Sequence, residues 1–98
     1  MFVTCNRILV NPDFREPVET RFKERAGLVE TMPGFVSFHL LRPTQEGDPY
    51  VVMTFWETEG HFKAWTESEA FQQGHGRSGT LPREAFSAPP KLEMFEVV

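Results

Sequence analysis

The chain has 98 residues, 40% of them hydrophobic and 24% charged, which suits one small domain over residues 1–98 and leaves no room for a second core. The formal net charge of −4 argues against nucleic acid as a partner, because a protein that binds phosphates needs a basic surface. The sequence contains no apolar run of about 20 residues, no signal-peptide pattern and a single cysteine, Cys5, so we expect a cytoplasmic protein with no membrane partner.

The first two predicted elements are a strand and an amphipathic helix. Residues 2–10 are rich in strand-forming side chains and end at a turn that contains Pro12. Apolar residues then recur from Phe14 to Val29 at spacings of three and four, which is the period of a helix with one buried face. Pro17 fits the first turn of this helix, and Pro33 with Gly34 ends it.

The next two predicted elements form an antiparallel hairpin. Residues 35–41 and 50–56 read as strands joined by a polar, turn-rich connection. Both strands are apolar at odd and at even positions, so neither face of the sheet is expected to be in water. Because the chain also carries ten phenylalanines, we expect helices on one face and the sheet of a second copy on the other, in a homodimer.

The second helical region begins at Thr58, a capping residue followed by an acidic first turn. Ser68 and Glu69 repeat this signal, which predicts a bend between Trp65 and His75. Glycines and prolines follow, and residues 91–98 return as a strand. The resulting order, β-α-β-β-α-β, predicts the α+β ferredoxin-like fold, with both helices on one face of the sheet.

Three residues are candidates for chemistry. His75 shares a helix face with Phe71, and an imidazole beside a cavity can ligate haem iron. Asn6 places a carboxamide on a largely apolar strand face, where burial without a partner costs about 1 to 3 kcal/mol. Trp65 supplies a bulky wall. Each also has an ordinary interpretation: a surface histidine, an amide bonded to its neighbours and a core tryptophan.

Other kinds of site have little support in the sequence. His39 and His61 are not spaced as a metal pair with His75, and no cluster of cysteines or carboxylates completes a zinc or non-haem iron site. There is no glycine-rich phosphate loop. The motif that attaches haem covalently is also missing, so any haem would be bound non-covalently.

Several segments resemble the IsdG-type haem-degrading monooxygenases of the antibiotic biosynthesis monooxygenase superfamily. The resemblance runs through Phe35, Leu40-Leu41-Arg42-Pro43, the strand and turn from Tyr50 to Glu57, Phe62-Lys63-Ala64-Trp65, and Ser68-Glu69-Ala70-Phe71 up to His75. The resemblance covers about four fifths of the chain. The chain departs from the family core mainly in its glycine-rich stretch and in the extension from Thr80 to Pro90. The resemblance implies a ferredoxin-like homodimer whose sheets close into an α/β-barrel, with one haem per subunit between helices and sheet.

The resemblance also assigns roles to residues. His75 matches the family's iron ligand, Asn6 its distal amide and Trp65 the tryptophan that distorts the porphyrin. We add Phe22, Val52 and Phe71 as candidate walls of the haem pocket, and Arg25, one turn from Phe22, as a candidate partner for a propionate.

The implied activity is oxidative opening of haem with release of iron. Haem is then both cofactor and substrate, dioxygen is the oxidant, and electrons come from an external donor such as a reductase. Two alternatives stay open. One is a cofactor-independent oxygenase of the same superfamily that acts on an aromatic or quinol substrate. The other is a dimeric module that binds haem without degrading it.

Overall fold

The structure is a computed structural model, and it describes residues 1–69, Phe71 and 83–98, without the side chains of Arg25 and Arg83. The elements follow the predicted order: β1 (Phe2–Ile8), α1 (Arg15–Val29), β2 (Phe35–Leu41), β3 (Tyr50–Trp56), α2 (Glu59–Thr66) and β4 (Lys91–Glu96). Single turns of 3-10 helix stand at Pro12–Phe14 and Arg83–Ala85.

The four strands form one sheet in the order β2-β3-β1-β4, and every neighbouring pair is antiparallel. The central strands are therefore β3 and β1, and the last strand pairs with the first. This topology confirms the predicted α+β ferredoxin-like class. Among the described residues, no helix is long and apolar enough to cross a lipid bilayer.

Two predicted boundaries were too generous. β1 ends at Ile8, because Val10 makes only an isolated bridge with Phe86. α1, in contrast, ends at Val29, the last residue of the predicted apolar spacing, and the Met32 amide then donates to the Val29 carbonyl in a tighter turn. β4 ends at Glu96 instead of Val98, since its partner β1 begins at Phe2 and Glu96 already pairs with Phe2.

The strand register separates two faces of the sheet. On one face Thr4 pairs with Thr54 and Asn6 pairs with Val52, and the helices pack over these residues. We call this the helix face. The opposite face, called the open face, carries Cys5, which pairs with Met53. Odd and even positions thus serve different surfaces, as predicted for β3.

The helices and the helix face enclose two separate groups of buried side chains. Core cluster 1 contains Ile8, Val18, Phe22 and Ala85. Core cluster 2 contains Phe2, Val29 and Trp56, with Phe62 and Trp65 of α2 packed against it. Because α1 contributes to both clusters, its buried stripe spans the sheet, as the apolar periodicity predicts.

Glu19 joins α1 to the β2-β3 hairpin. Its carboxylate accepts hydrogen bonds from the guanidinium of Arg42 and from the hydroxyl of Tyr50, which is only 1% exposed. The hydrogen bond from Arg42 has the largest effect and the one from Tyr50 the next largest, and together they lower the pKa of Glu19 from 4.5 to about 2. The carboxylate is therefore stabilised in its charged form by the folded state.

We expect Glu19→Gln to destabilise the fold by about 1 to 3 kcal/mol at neutral pH, because it removes charge-assisted hydrogen bonds. Since the folded pKa lies below the unfolded one, this contribution is complete above pH 4.5 and is lost as the pH falls toward 2. Urea unfolding between pH 7 and pH 2.5 measures it. Glu24→Gln removes a half-exposed carboxylate that lies 3.6 Å from the Arg21 guanidinium; it is the control and should change stability by under about 0.5 kcal/mol. Equal effects of the two substitutions would contradict this prediction.

Candidate functional site

A cavity of about 300 Å³ lies between the helix face and both helices, at the point where core clusters 1 and 2 part. Every strand and both helices contribute to its lining, which consists of Thr4, Asn6, Phe22, Val29, Phe38, Val52, Thr54, Phe62, Trp65, Thr66, Phe71, Pro90 and Leu92. The volume falls at the lower end of the range for small-molecule sites.

The floor of the cavity is polar at its centre. Along β1 the helix face runs from Phe2 in core cluster 2, through Thr4 and Asn6, to Ile8 in core cluster 1. The two polar residues therefore occupy the gap between the clusters. Among the described residues, none accepts from or donates to the Asn6 carboxamide, so this amide is available to a ligand.

Aromatic side chains form the wall on the α2 side. Trp65 lies 6.4 Å from Trp56 between ring centroids and meets the edge of Phe71 at 5.4 Å and 88°. Trp56 is fully buried, so it holds the indole of Trp65 from behind. Aromatic pairs of this kind are worth about 0.5 to 1.5 kcal/mol each beyond their buried area, so they stabilise Trp65 in its position at the cavity wall.

The predicted bend after α2 is confirmed. α2 ends at Thr66, and the Ser68 amide donates to the Trp65 carbonyl over 3.0 Å. The Ser68 hydroxyl then accepts from the Phe71 amide at 3.1 Å, as an N-cap residue does for a new helical turn. Phe71, which follows this break, lies against Trp65, whereas His75, the residue that the bend was predicted to bring near Trp65, lies outside the described residues.

The structure brings together five of the side chains that the sequence singled out. Asn6, Phe22, Val52, Trp65 and Phe71 all line the cavity. The other two candidates are not covered: His75 and the side chain of Arg25 lie outside the described residues, although the Arg25 backbone belongs to α1.

The remaining histidines stand elsewhere. The His39 ring is on the open face, where it meets Phe55 at 6.1 Å. The His61 ring nitrogen is 2.8 Å from the Thr58 hydroxyl, and the ring packs on Gly34, where an added Cβ would come within 2.1 Å of it. Neither histidine lines the cavity. No group of three or more potential metal ligands occurs within residues 1–69, Phe71 and 83–98.

The described lining carries no formal charge. Its polar side chains are Asn6 and three threonines, and the Thr66 hydroxyl already donates to the Lys63 carbonyl at 2.8 Å. A described lining that is uncharged and mostly apolar, with five aromatic side chains, favours a flat apolar ligand that presents few polar atoms to the floor.

Several lining residues were not predicted, above all Thr4 and Thr54. Thr4 lies two residues before Asn6 on β1, and Thr54 lies two residues after Val52 on β3. The alternation of side chains along each strand could therefore have placed them on the same face as the predicted residues. Their pairing across β1 and β3 depends on the strand register, and a single sequence does not define the register of strands joined by a long connection.

Comparisons with known proteins identify the class to which this fold and site belong. Residues 1–77 match the sequence profile of the antibiotic biosynthesis monooxygenases. The chain belongs to this family.

Individual relatives carry more specific names. A staphylobilin-producing heme oxygenase from Staphylococcus haemolyticus is 40% identical over 77 residues, covering 76% of this chain and 73% of the relative. A mycobilin-producing heme oxygenase from Mycobacterium tuberculosis is 41% identical over 68 residues, covering 69% of this chain and 65% of the relative. A structure of the heme degrader MhuD from M. tuberculosis, with two hemes bound in its active site, has a TM-score of 0.78 at 35% identity and covers 100% of this chain and 96% of that one.

Proposed function

We propose that this protein is a haem-degrading monooxygenase that binds haem non-covalently in the cavity between the helix face and the two helices. The observation that carries the proposal is that one cavity, whose described lining is uncharged, holds both the Trp65 wall and an Asn6 carboxamide that has no hydrogen-bond partner among the described residues. Relatives 40% and 41% identical that are named heme oxygenases support the same activity. The functional unit is one domain over residues 1–98, acting in the cytoplasm.

The described residues fit a haem. Phe22 and Phe71 provide apolar contact for a macrocycle, and Val52 lies on the floor beside Asn6. The uncharged lining suits the porphyrin ring, whereas the propionates need a cation. Arg25, which follows Phe22 by three residues on α1, is our candidate for that role.

His75 is our candidate for the iron ligand. The chain has three histidines, and His39 and His61 both stand away from the cavity lining. His75 follows Phe71, a wall residue, by four positions. Imidazole is the commonest protein ligand of haem iron, so the remaining histidine is the natural donor.

Bound haem supplies the iron on which dioxygen is activated and is itself the molecule that is oxidised, with electrons from an external donor such as a reductase. With haem bound, the Asn6 amide group would donate a hydrogen bond to a ligand in the cavity. Trp65, which packs against Trp56, would press against the macrocycle as a bulky wall. The apolar walls exclude bulk water from the site.

One experiment separates this proposal from its alternatives. Purified protein is titrated with hemin, and the complex is then given oxygen and a reductant such as ascorbate. We expect saturation at one hemin per chain, followed by loss of the Soret band and an open tetrapyrrole identified by mass spectrometry. Binding without degradation would indicate a haem-storage module, and the absence of binding would leave a cofactor-independent oxygenase.

We also propose that the protein is a homodimer whose two sheets meet through their open faces. Val3 and Cys5 on this face are buried within one chain, whereas Phe95, which pairs with Val3, is 49% exposed and Leu41 is 42% exposed. Each of the four strands places an apolar side chain on this face, beside the Arg7–Glu93 ion pair. Such a surface is typical of one that packs against another sheet.

We expect Met53→Arg to convert the dimer into a monomer, because Met53 pairs with Cys5 at the centre of the open face and a buried unpaired charge there is costly. Sedimentation velocity measures the change. Met53→Leu keeps the surface apolar and should stay dimeric. A wild-type chain that sediments as a monomer, or a Met53→Arg variant that remains dimeric, would contradict the open-face dimer.

A further inference from the structure

Thr4 and Thr54 are two nearly buried hydroxyl-bearing residues in the floor of the cavity. They are 5% and 8% exposed and pair directly across β1 and β3. Within the described part of the chain, neither side chain makes a hydrogen bond. Both residues line the cavity. Their hydroxyl oxygens are not among the fully buried polar atoms that lack a hydrogen-bond partner, whereas the Trp56 Nε1 atom is. Their hydroxyls therefore open into the cavity.

Two unused hydroxyls are costly to keep in this position. An unpaired polar group in an apolar environment destabilises a protein, and valine has almost the shape of threonine and is at least as favourable in a strand. The surrounding positions of the helix face, including Phe2 and Trp56, are apolar and tightly packed. A chain that needed only packing at Thr4 and Thr54 would be more stable with valine at both.

The location of the pair indicates its partner. Thr4 precedes Asn6 by two residues on the same face of β1, so the two positions are separated by about 7 Å along the strand. A water molecule that is hydrogen-bonded to both threonine hydroxyls would lie between them and a ligand held by Asn6, since a bridging water joins polar groups that do not touch. The neutral floor suits water or a small ligand better than a propionate.

We propose that Thr4 and Thr54 hold one water molecule that hydrogen-bonds the small ligand engaged by Asn6. The pair is a positioning subsite on the ligand side of the iron, and this inference rests on the proposed haem function. The water gives the small ligand a second hydrogen bond, which fixes its direction as well as its distance from the carboxamide.

The test uses Thr4→Val, Thr54→Val and the double variant, with azide as the probe ligand of the ferric hemin complex. We expect hemin affinity within about twofold of wild type, and azide affinity about three- to tenfold weaker, as loss of one hydrogen bond implies. The infrared stretching frequency of bound azide should also shift. Without hemin, the double variant should melt higher than wild type.

Thr66→Val is the matched control, because Thr66 also lines the cavity but its hydroxyl already bonds the Lys63 carbonyl. It should leave azide affinity and frequency unchanged. If the wild type binds no hemin, the proposed function fails and this subsite fails with it. If hemin binds but azide affinity is unaffected by both threonine substitutions, only the subsite is overturned. A lower melting temperature of the hemin-free double variant would likewise contradict it, because the hydroxyls would then be structural.

Discussion

Replacing His75 by alanine is expected to remove the spectrum of ligated hemin and to weaken hemin binding by on the order of 100-fold, or about 2.7 kcal/mol. The physical reason is that the aromatic walls still offer apolar contact, but the iron loses its protein donor. An absorbance titration measures both effects. Imidazole added to the His75→Ala complex should restore much of the spectrum, since it can occupy the vacated coordination position.

His39→Ala is the control for this prediction. His39 is exposed on the open face and contacts Phe55, away from the cavity lining. Its removal should leave the hemin spectrum unchanged. A His75→Ala complex with the wild-type Soret band and affinity would exclude His75 as the iron ligand.

Replacing Asn6 by alanine is expected to slow haem degradation by about 100-fold while hemin affinity stays within about twofold. Asn6 has no hydrogen-bond partner among the described residues, so the substitution breaks no hydrogen bond within that part of the chain. Its effect should appear in turnover and not in folding. Single-turnover decay of the Soret band and urea unfolding of the hemin-free protein measure the two quantities separately.

Asn6→Asp sharpens this prediction. Aspartate keeps the size of asparagine but has no amide N–H to donate, so this variant should also degrade haem slowly. Asn6→Ala with wild-type turnover would exclude the donor role. A loss of more than about 1 kcal/mol of unfolding free energy in the hemin-free Asn6→Ala variant would instead mark Asn6 as a structural residue.

The sequence predicted most of the architecture because its signals were local. Thr58 and Ser68 mark helix starts through a hydroxyl that caps a backbone amide, and both caps are present in the structure. The hairpin strands agree with the predicted bounds, since turn-forming residues enclose each apolar run. The predicted end of β1 was wrong because strand length depends on the partner: Val10 has only Phe86 opposite it.

The site was predictable only in part, and for a similar reason. Strand parity put Asn6 on a largely apolar face without showing which face the helices cover, and family resemblance assigned roles to Asn6 and Trp65. The gap between core clusters 1 and 2 results from the packing of α1 and α2 on the sheet, which no local pattern encodes. Thr4 and Thr54 therefore read as ordinary strand residues until their register and the cavity above them were known.

A crystal structure of the hemin complex tests the central claim most directly. We expect the porphyrin to lie in the cavity between the helix face and the helices, with its iron bonded to His75 and with Asn6 and Trp65 on the opposite side of the ring. A haem outside this cavity, or one whose iron is bonded to a residue other than His75, would contradict the site proposed for this protein.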